Sequence, residues 1–291
     1  MHDFNKQQIP FNILANRKIK EGEIFWSWPA DLGTSFIGAF SFYNLGSPFF
    51  WLSLLFPADS FPYLVGPLLI LKCGVGGLTS YLFLKRFLEH PEYAVIGSML
   101  YVWSGFQITN FQFNHFHDVT SFFPLMLVAM EQLVKEKKQG RFAITVGLMA
   151  TINYFFFIGE VVFCIVYFLV RFGPRQCRHE KLFVLVRRVM SEGILGVALA
   201  AVLFLPSALF VVQNPRADQT IFDSNILLFP WQRYLMLIRS ALFPADPAGI
   251  QSAINMTDFS SSGLYLPILG FTAASVYLQR SRSIWQRLSW V

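Results

Sequence analysis

Residues 62–84 read Pro62-Tyr-Leu-Val-Gly-Pro-Leu-Leu-Ile-Leu-Lys72-Cys-Gly-Val-Gly-Gly-Leu-Thr-Ser-Tyr-Leu-Phe-Leu84, and Lys72 is the lone charge among them. A helix of that length rises about 35 Å, enough to cross a hydrocarbon core of about 30 Å. The helices of soluble domains keep a polar face, and this stretch has none. Six further apolar runs follow the same logic, at about 93–109, 119–134, 142–157, 160–171, 193–212 and 263–279. The expected fold class is therefore an all-α integral membrane protein with about seven transmembrane helices. The pair 142–157 and 160–171 is short, and reads either as a tight hairpin broken at Gly159-Glu160 or as one long tilted helix. The hairpin keeps the charge pattern below consistent.

Composition agrees. Hydrophobic residues make up 54% of the 291 positions and charged residues 14%, against roughly 25% charged in soluble domains. A water-facing surface needs charge, so a soluble globular domain is excluded. The formal net charge of +6 does not point to nucleic acid, because the basic residues lie between apolar runs and form no single patch. Cys73, Cys164 and Cys177 form no CxxC pair, so neither a disulfide framework nor a zinc site is indicated. Residues 1–24 are polar and basic and hold no apolar core of signal-peptide length.

Alternating the seven runs places fifteen of the 23 basic residues on one side, from Lys85 and Arg86 to Arg280, Arg282 and Arg287. Eleven of the 17 acidic residues fall on the other. Short loops rich in Lys and Arg stay cytoplasmic, so residues 1–61, 110–118 and 213–262 are expected outside. Two units follow: an outer loop with interfacial aromatic helices at 1–61, and a transmembrane bundle at 62–291 with an outer loop at 213–262. The stretch 25–57 carries Trp26, Trp28, Trp51 and the run Pro48-Phe49-Phe50, an aromatic density suited to the membrane–water interface. Segment 226–243, with Trp231, Arg233, Tyr234 and Arg239, reads as a helix lying in that interface.

Polar groups at membrane depth are costly and ask for a reason. Lys72, near the centre of the first run, reads as a partner for a phosphate or carboxylate in a polar cavity, or as a structural lysine paired with an acid such as Glu160. Glu160 itself reads as a solvated turn residue. The loop Asn110-Phe-Gln-Phe-Asn-His115-Phe-His117-Asp118 is the densest polar cluster near a helix end. Its two histidines and aspartate suit a metal, a sugar or a phosphate. On a helix, His115 and His117 would point to different faces, so chelation by both needs an extended loop.

Five strings occur in order along the chain: Asp3-x3-Gln7-Gln8-x-Pro10-Phe11; Trp28-x2-Asp31-Leu-Gly33; Phe42-Tyr43-Asn44-Leu-Gly-Ser47-Pro48-Phe49; Leu71-Lys72-Cys-Gly-Val-x-Gly77; and His117-Asp118-x5-Pro124-Leu125. Together they resemble the YfhO family of bacterial membrane proteins, from residue 3 to about 280. That family is similar to the GT-C glycosyltransferases, multi-helix membrane enzymes that use a sugar on a polyprenyl phosphate and an acceptor on the outer face. The resemblance implies a bacterial plasma-membrane location and a cell-envelope polymer or glycolipid as acceptor. It matches Asp3 to the acidic residue of catalysis, Gln7 and Gln8 to its companions, and Lys72, His115, His117 and Asp118 to positions near the outer cavity.

The chemistry is coherent. A carboxylate at the interface can deprotonate an acceptor hydroxyl. A cation such as Lys72, or a bound divalent metal ion, can stabilise the departing phosphate. Trp28, with Trp26, can stack on a sugar face or line a lipid groove. Family members carry a helix before the acidic loop and continue well past residue 291, so a fragment of a longer gene or a truncated reading frame is expected. Two other readings stand beside the transferase. Intramembrane Lys72 and interrupted segments suit a lipid or polymer transporter or flippase, and truncation suits a non-catalytic assembly subunit.

Overall fold

The computed structural model describes residues 4–30, 32–173 and 182–213, with seven single positions between 235 and 279. Asp3, most of the 213–262 loop with its interfacial segment 226–243, and most of the 263–279 run lie outside the described residues.

Ten α-helices are described: α1 Ile9–Glu21, α2 Phe36–Phe40, α3 Pro48–Ser53, α4 Phe61–Leu84, α5 Pro91–Val102, α6 Gly105–Thr109, α7 Asn114–Lys135, α8 Arg141–Ile152, α9 Tyr154–Phe172 and α10 Leu182–Val212. The described strands are a two-residue pair, β1 Trp26–Ser27 and β2 Thr34–Ser35, antiparallel with Trp26 opposite Ser35. Three of the helical stretches are long and apolar enough to cross a membrane: Ala58–Leu84, Tyr154–Phe172 and Leu182–Val212. Three other runs expected to span, at 93–109, 119–134 and 142–157, do not reach this standard among the described residues. The helices α5 and α8 have twelve residues each and rise only about 18 Å, while α7 is long but carries His115, His117, Asp118 and Glu131.

The expected break at Gly159-Glu160 falls instead at Asn153, whose backbone is extended. Its side chain accepts hydrogen bonds from the N–H groups of Phe155 and Phe156 at 3.0 and 3.2 Å, capping α9. An asparagine at the N-cap satisfies donors the first turn would leave unpaired, so the helix restarts there. Glu160 is then buried mid-helix, correcting its reading as a solvated turn residue, and neither carboxyl oxygen has a hydrogen-bond partner among the described residues.

Helix pairs approach through small residues, as membrane helices do. On α4 the buried positions Phe61, Val65, Lys72, Gly76, Thr79 and Ser80 form one stripe. Thr79 Oγ1 donates to the Ser121 carbonyl at 2.6 Å, and Ser121 Oγ donates to the Lys72 carbonyl at 2.9 Å, fastening α4 to α7. Where α10 crosses α8, a Cβ on Gly196 would lie 2.6 Å from the Ala143 carbonyl oxygen, so only glycine fits. Four residues earlier, Glu192 accepts from Gly140 N–H (2.7 Å) and Ala143 N–H (3.2 Å). Its carboxylate caps α8, where helix N–H groups and the dipole favour negative charge.

The ends expected on the basic side do gather at one end of the bundle. Glu131, fully buried, accepts from the Tyr167 hydroxyl at 2.6 Å and pairs with Lys135 (2.7 Å) and Arg171 (3.0 Å). Glu136 joins Arg86 of the α4–α5 connection and Lys138 beside it.

At the opposite end, residues 4–60 form a layer packed on the helices. Ala15, Phe36, Phe40, Leu45 and Phe50 make a core of their own, with Leu203 of α10 against it. Gly46 lies so close to α8 that a Cβ there would overlap the Thr151 carbonyl. The β-hairpin stands out from this layer with Phe25, Trp28 and Leu32 largely exposed; Leu32 adopts φ +62°, uncommon for a bulky side chain.

Candidate functional site

Between this layer and the bundle lies a cleft lined by Gln8, Asn12, Tyr43, Asn44, Ser47 and Phe49 on one side. Phe61, Val65, Leu68 and Lys72 of α4, with Asn114, His115 and Asp118 of α7, line the other. Its empty space is about 340 Å³, open solvent at the mouth included. The sequence places these groups by helical spacing. Gln8 and Asn12 lie one turn apart at the start of α1, Phe61, Val65, Leu68 and Lys72 run down one face of α4, and Asn114, His115 and Asp118 fall in the first turn of α7.

At the floor, Lys72 Nζ is 2.7 Å from Asp118 Oδ1, and both side chains are buried. The same ammonium donates to the Asn114 carbonyl at 2.9 Å and lies over the Phe49 ring, 5.5 Å from its centroid. Ser47, whose hydroxyl caps α3 by accepting from Phe50 N–H at 3.1 Å, lines the cleft beside them. The partner of Lys72 is thus Asp118 and not Glu160.

On the wall, His115 Nδ1 is 3.3 Å from Gln8 Oε1. A carboxamide oxygen only accepts, so in this arrangement the imidazole donates through Nδ1, and Nε2 has no partner among the described residues. The rings of Phe42 and Tyr43 meet the imidazole edge-to-face at 5.0 and 5.4 Å. Gln7 Nε2 donates to the Tyr43 hydroxyl at 2.8 Å, which ties the start of the chain to this wall.

Of the eight residues singled out in the sequence, Gln8, Lys72, His115 and Asp118 meet in the cleft, and Gln7 touches its lining through Tyr43. Two do not join them. His117 is buried against the Phe111 ring, 5.3 Å away, and Trp28 sits on the hairpin with Trp26 at 5.7 Å. Asp3 lies outside the described residues. The expected 110–118 loop is largely helix, since Asn114–Asp118 open α7. Two histidines two apart on a helix point to different faces, so His115 and His117 do not chelate one ion. Among the described residues no group of three His, Cys, Asp or Glu side chains stands ready for a metal, and the Asp118 carboxylate is taken by Lys72, so the described lining does not fit a metal ion. Asn12 was missed in the sequence, although a second amide one turn after Gln8 on a buried helix face was its signal. Asn44 and Ser47 stood in a recognised string without a role.

The helices long enough to span, the outward apolar side chains of α9 and α10 and the polar cleft at one end define a helical membrane protein with a capped, polar chamber. The chain belongs to the YfhO family: the family model described as bacterial membrane protein YfhO matches residues 1–286. Among curated proteins it is similar to the "Uncharacterized protein YfhO" of Bacillus subtilis (strain 168), 24% identical over 249 residues, an overlap covering 76% of this chain and 28% of that relative. The chain thus spans under a third of that relative's length. No solved structure matches it.

Proposed function

We propose that this chain forms part of a GT-C-like, seven-span membrane glycosyltransferase that moves a sugar from a polyprenyl-phosphate carrier to a cell-envelope polymer or glycolipid on the outer face of the plasma membrane. The observation that carries the reading is the convergence of Gln8, Lys72, His115 and Asp118 on one cleft, since the family resemblance matches Gln8 to a companion of the catalytic acid and the other three to positions near the outer cavity. A sugar on an isoprenoid tail has its anchor in the bilayer and its reacting carbon at the interface. A cleft between transmembrane helices and an interfacial layer sits where both parts can be held at once.

In this reading Asp3, five residues before Gln8, is the general base that takes the proton of the acceptor hydroxyl. The Lys72–Asp118 pair fixes the cleft floor. Exposed Trp28 and Phe25 lie in the headgroup region, where amphipathic rings are favoured.

The test uses the full-length protein in proteoliposomes, supplied with a radiolabelled sugar on polyprenyl phosphate and an envelope glycolipid acceptor. Transfer is expected from the wild type and lost in Asp3→Asn, with membrane insertion intact. Retained transfer by that variant removes Asp3 from the mechanism, and sugar accumulating inside vesicles without a covalent product replaces the transferase with a transporter.

A further inference from the structure

Apart from Asp118 Oδ1, which Lys72 pairs, four residues lining the cleft each hold a buried polar atom without a hydrogen-bond partner among the described residues: Gln8 Nε2, Asn44 Oδ1, Asn114 Oδ1 and His115 Nε2. The side chains of Gln8, Asn44 and His115 are only 2%, 2% and 4% exposed. Buried polar atoms are almost always paired, and each exception asks for a reason. One isolated case is readily absorbed by packing. Four around a single cleft mark a place built to receive a polar group.

The charge of the cleft says which kind. Lys72 is its one cation among the described lining residues, and its ammonium is already held by Asp118 Oδ1 and the Asn114 carbonyl, with Phe49 on a further side. The pair is neutral as a unit. What remains is one amide donor, two amide carbonyl acceptors and one imidazole lone pair. A phosphate offers only acceptor oxygens and negative charge, and would meet the Asn44 and Asn114 oxygens and the Asp118 carboxylate without a free cation. A hydroxyl both donates and accepts, and so answers this mixed set. The fit in size agrees, because the space clear of protein atoms in the cleft takes about one water-sized group.

We infer that the Gln8–Asn44–Asn114–His115 cleft is a subsite for a hydroxyl of an uncharged sugar moiety, and that the carrier phosphate binds elsewhere. Lys72 serves as the floor of a sugar subsite and makes no phosphate contact. The inference rests on the transferase reading for its biological setting, and its binding test is independent of turnover.

Full-length protein in lipid nanodiscs free of glycosidic detergent is mixed with a panel of methyl glycosides, and contact is read by saturation-transfer NMR. Sugar signals are expected with the wild type and at least a tenfold weaker affinity with Asn44→Leu. Gln8→Leu, nearer the chain start, supplies a second variant should Asn44→Leu fail to yield monodisperse protein. Inorganic phosphate at equal concentration is expected to leave the sugar signals unchanged. Competition by phosphate, or no glycoside contact with the wild type, overturns the inference. In an assay that shows transfer, glycoside inhibition competitive with the acceptor assigns the subsite to the acceptor sugar, and inhibition competitive with the carrier assigns it to the donor sugar; both support it. Glycoside binding by a wild type that transfers nothing removes the transferase reading and keeps the subsite.

Discussion

Asn153 donates its side-chain amide to the carbonyl of Phe42 at 3.0 Å, across 111 residues of sequence. The same residue caps α9 with its carboxamide oxygen, so one side chain both ends α8 and docks the N-terminal layer on the break. Asn153→Ala is expected to lose the cap and leave the Phe42 carbonyl without this donor, costing about 1–3 kcal/mol. Asn153→Asp keeps the cap and is expected to recover part of that loss. Thermal unfolding of the full-length protein in one detergent measures both, and equal melting temperatures for wild type and Asn153→Ala would remove this residue as a joint.

The pair Lys72–Asp118 makes a similar demand. Removing one member of a buried ion pair leaves an uncompensated charge and costs about 3–5 kcal/mol, whereas replacing both with apolar groups is often nearly neutral. Lys72→Met and Asp118→Leu are each expected to destabilise by that amount, and the double variant to regain most of it. A double variant as unstable as the two losses added would show that the two groups do not act as a pair.

At the other end of the bundle, Lys138 and then Arg86 hold the Glu136 carboxyl down from the usual carboxylate value of 4.5 to about 2. The folded value lies below the unfolded one, so this contribution to stability is complete above pH 4.5 and fades as the pH falls toward 2. The stability difference between wild type and Glu136→Gln is therefore expected to be flat above about pH 5 and to vanish in acid. A difference that grows below pH 4 contradicts this arrangement.

Sidedness gives a fourth test. Cysteines placed at Glu23 and Lys137, both exposed, are expected to react with an impermeant maleimide from opposite faces of intact cells and inverted vesicles, Glu23→Cys from outside. Native Cys73, Cys164 and Cys177 are replaced beforehand. Labelling of both positions from one face refutes the proposed orientation.

The bundle was legible because apolar length is a one-dimensional property. The runs at 62–84 and 193–212 fall within single helices, and their ends cluster as the basic residues require. What could not be read was where a helix restarts. Asn153 looks like any polar residue inside the run 142–157, and its part as a breaker shows only in the fold, where it caps α9 and bonds the Phe42 carbonyl. The site was half legible for the same reason. Lys72 and Asp118 stood out as charges at membrane depth, yet their pairing depends on α4 and α7 packing through Gly76 and Ser121. Trp28 had the right chemistry for a sugar face, but the hairpin turns it away from the cleft lining.

The amino-terminal layer carries a consequence for how the protein is made. Gln8 leaves the ribosome 107 residues before His115, its partner across the cleft. At about 5–20 residues per second, that delay is roughly 5–20 s. Through this interval the layer can rest on α4, made directly after it, but not yet on α7. Assembly of the chamber is therefore a late event in biogenesis, and a nascent chain stalled before α7 would hold one wall without the other.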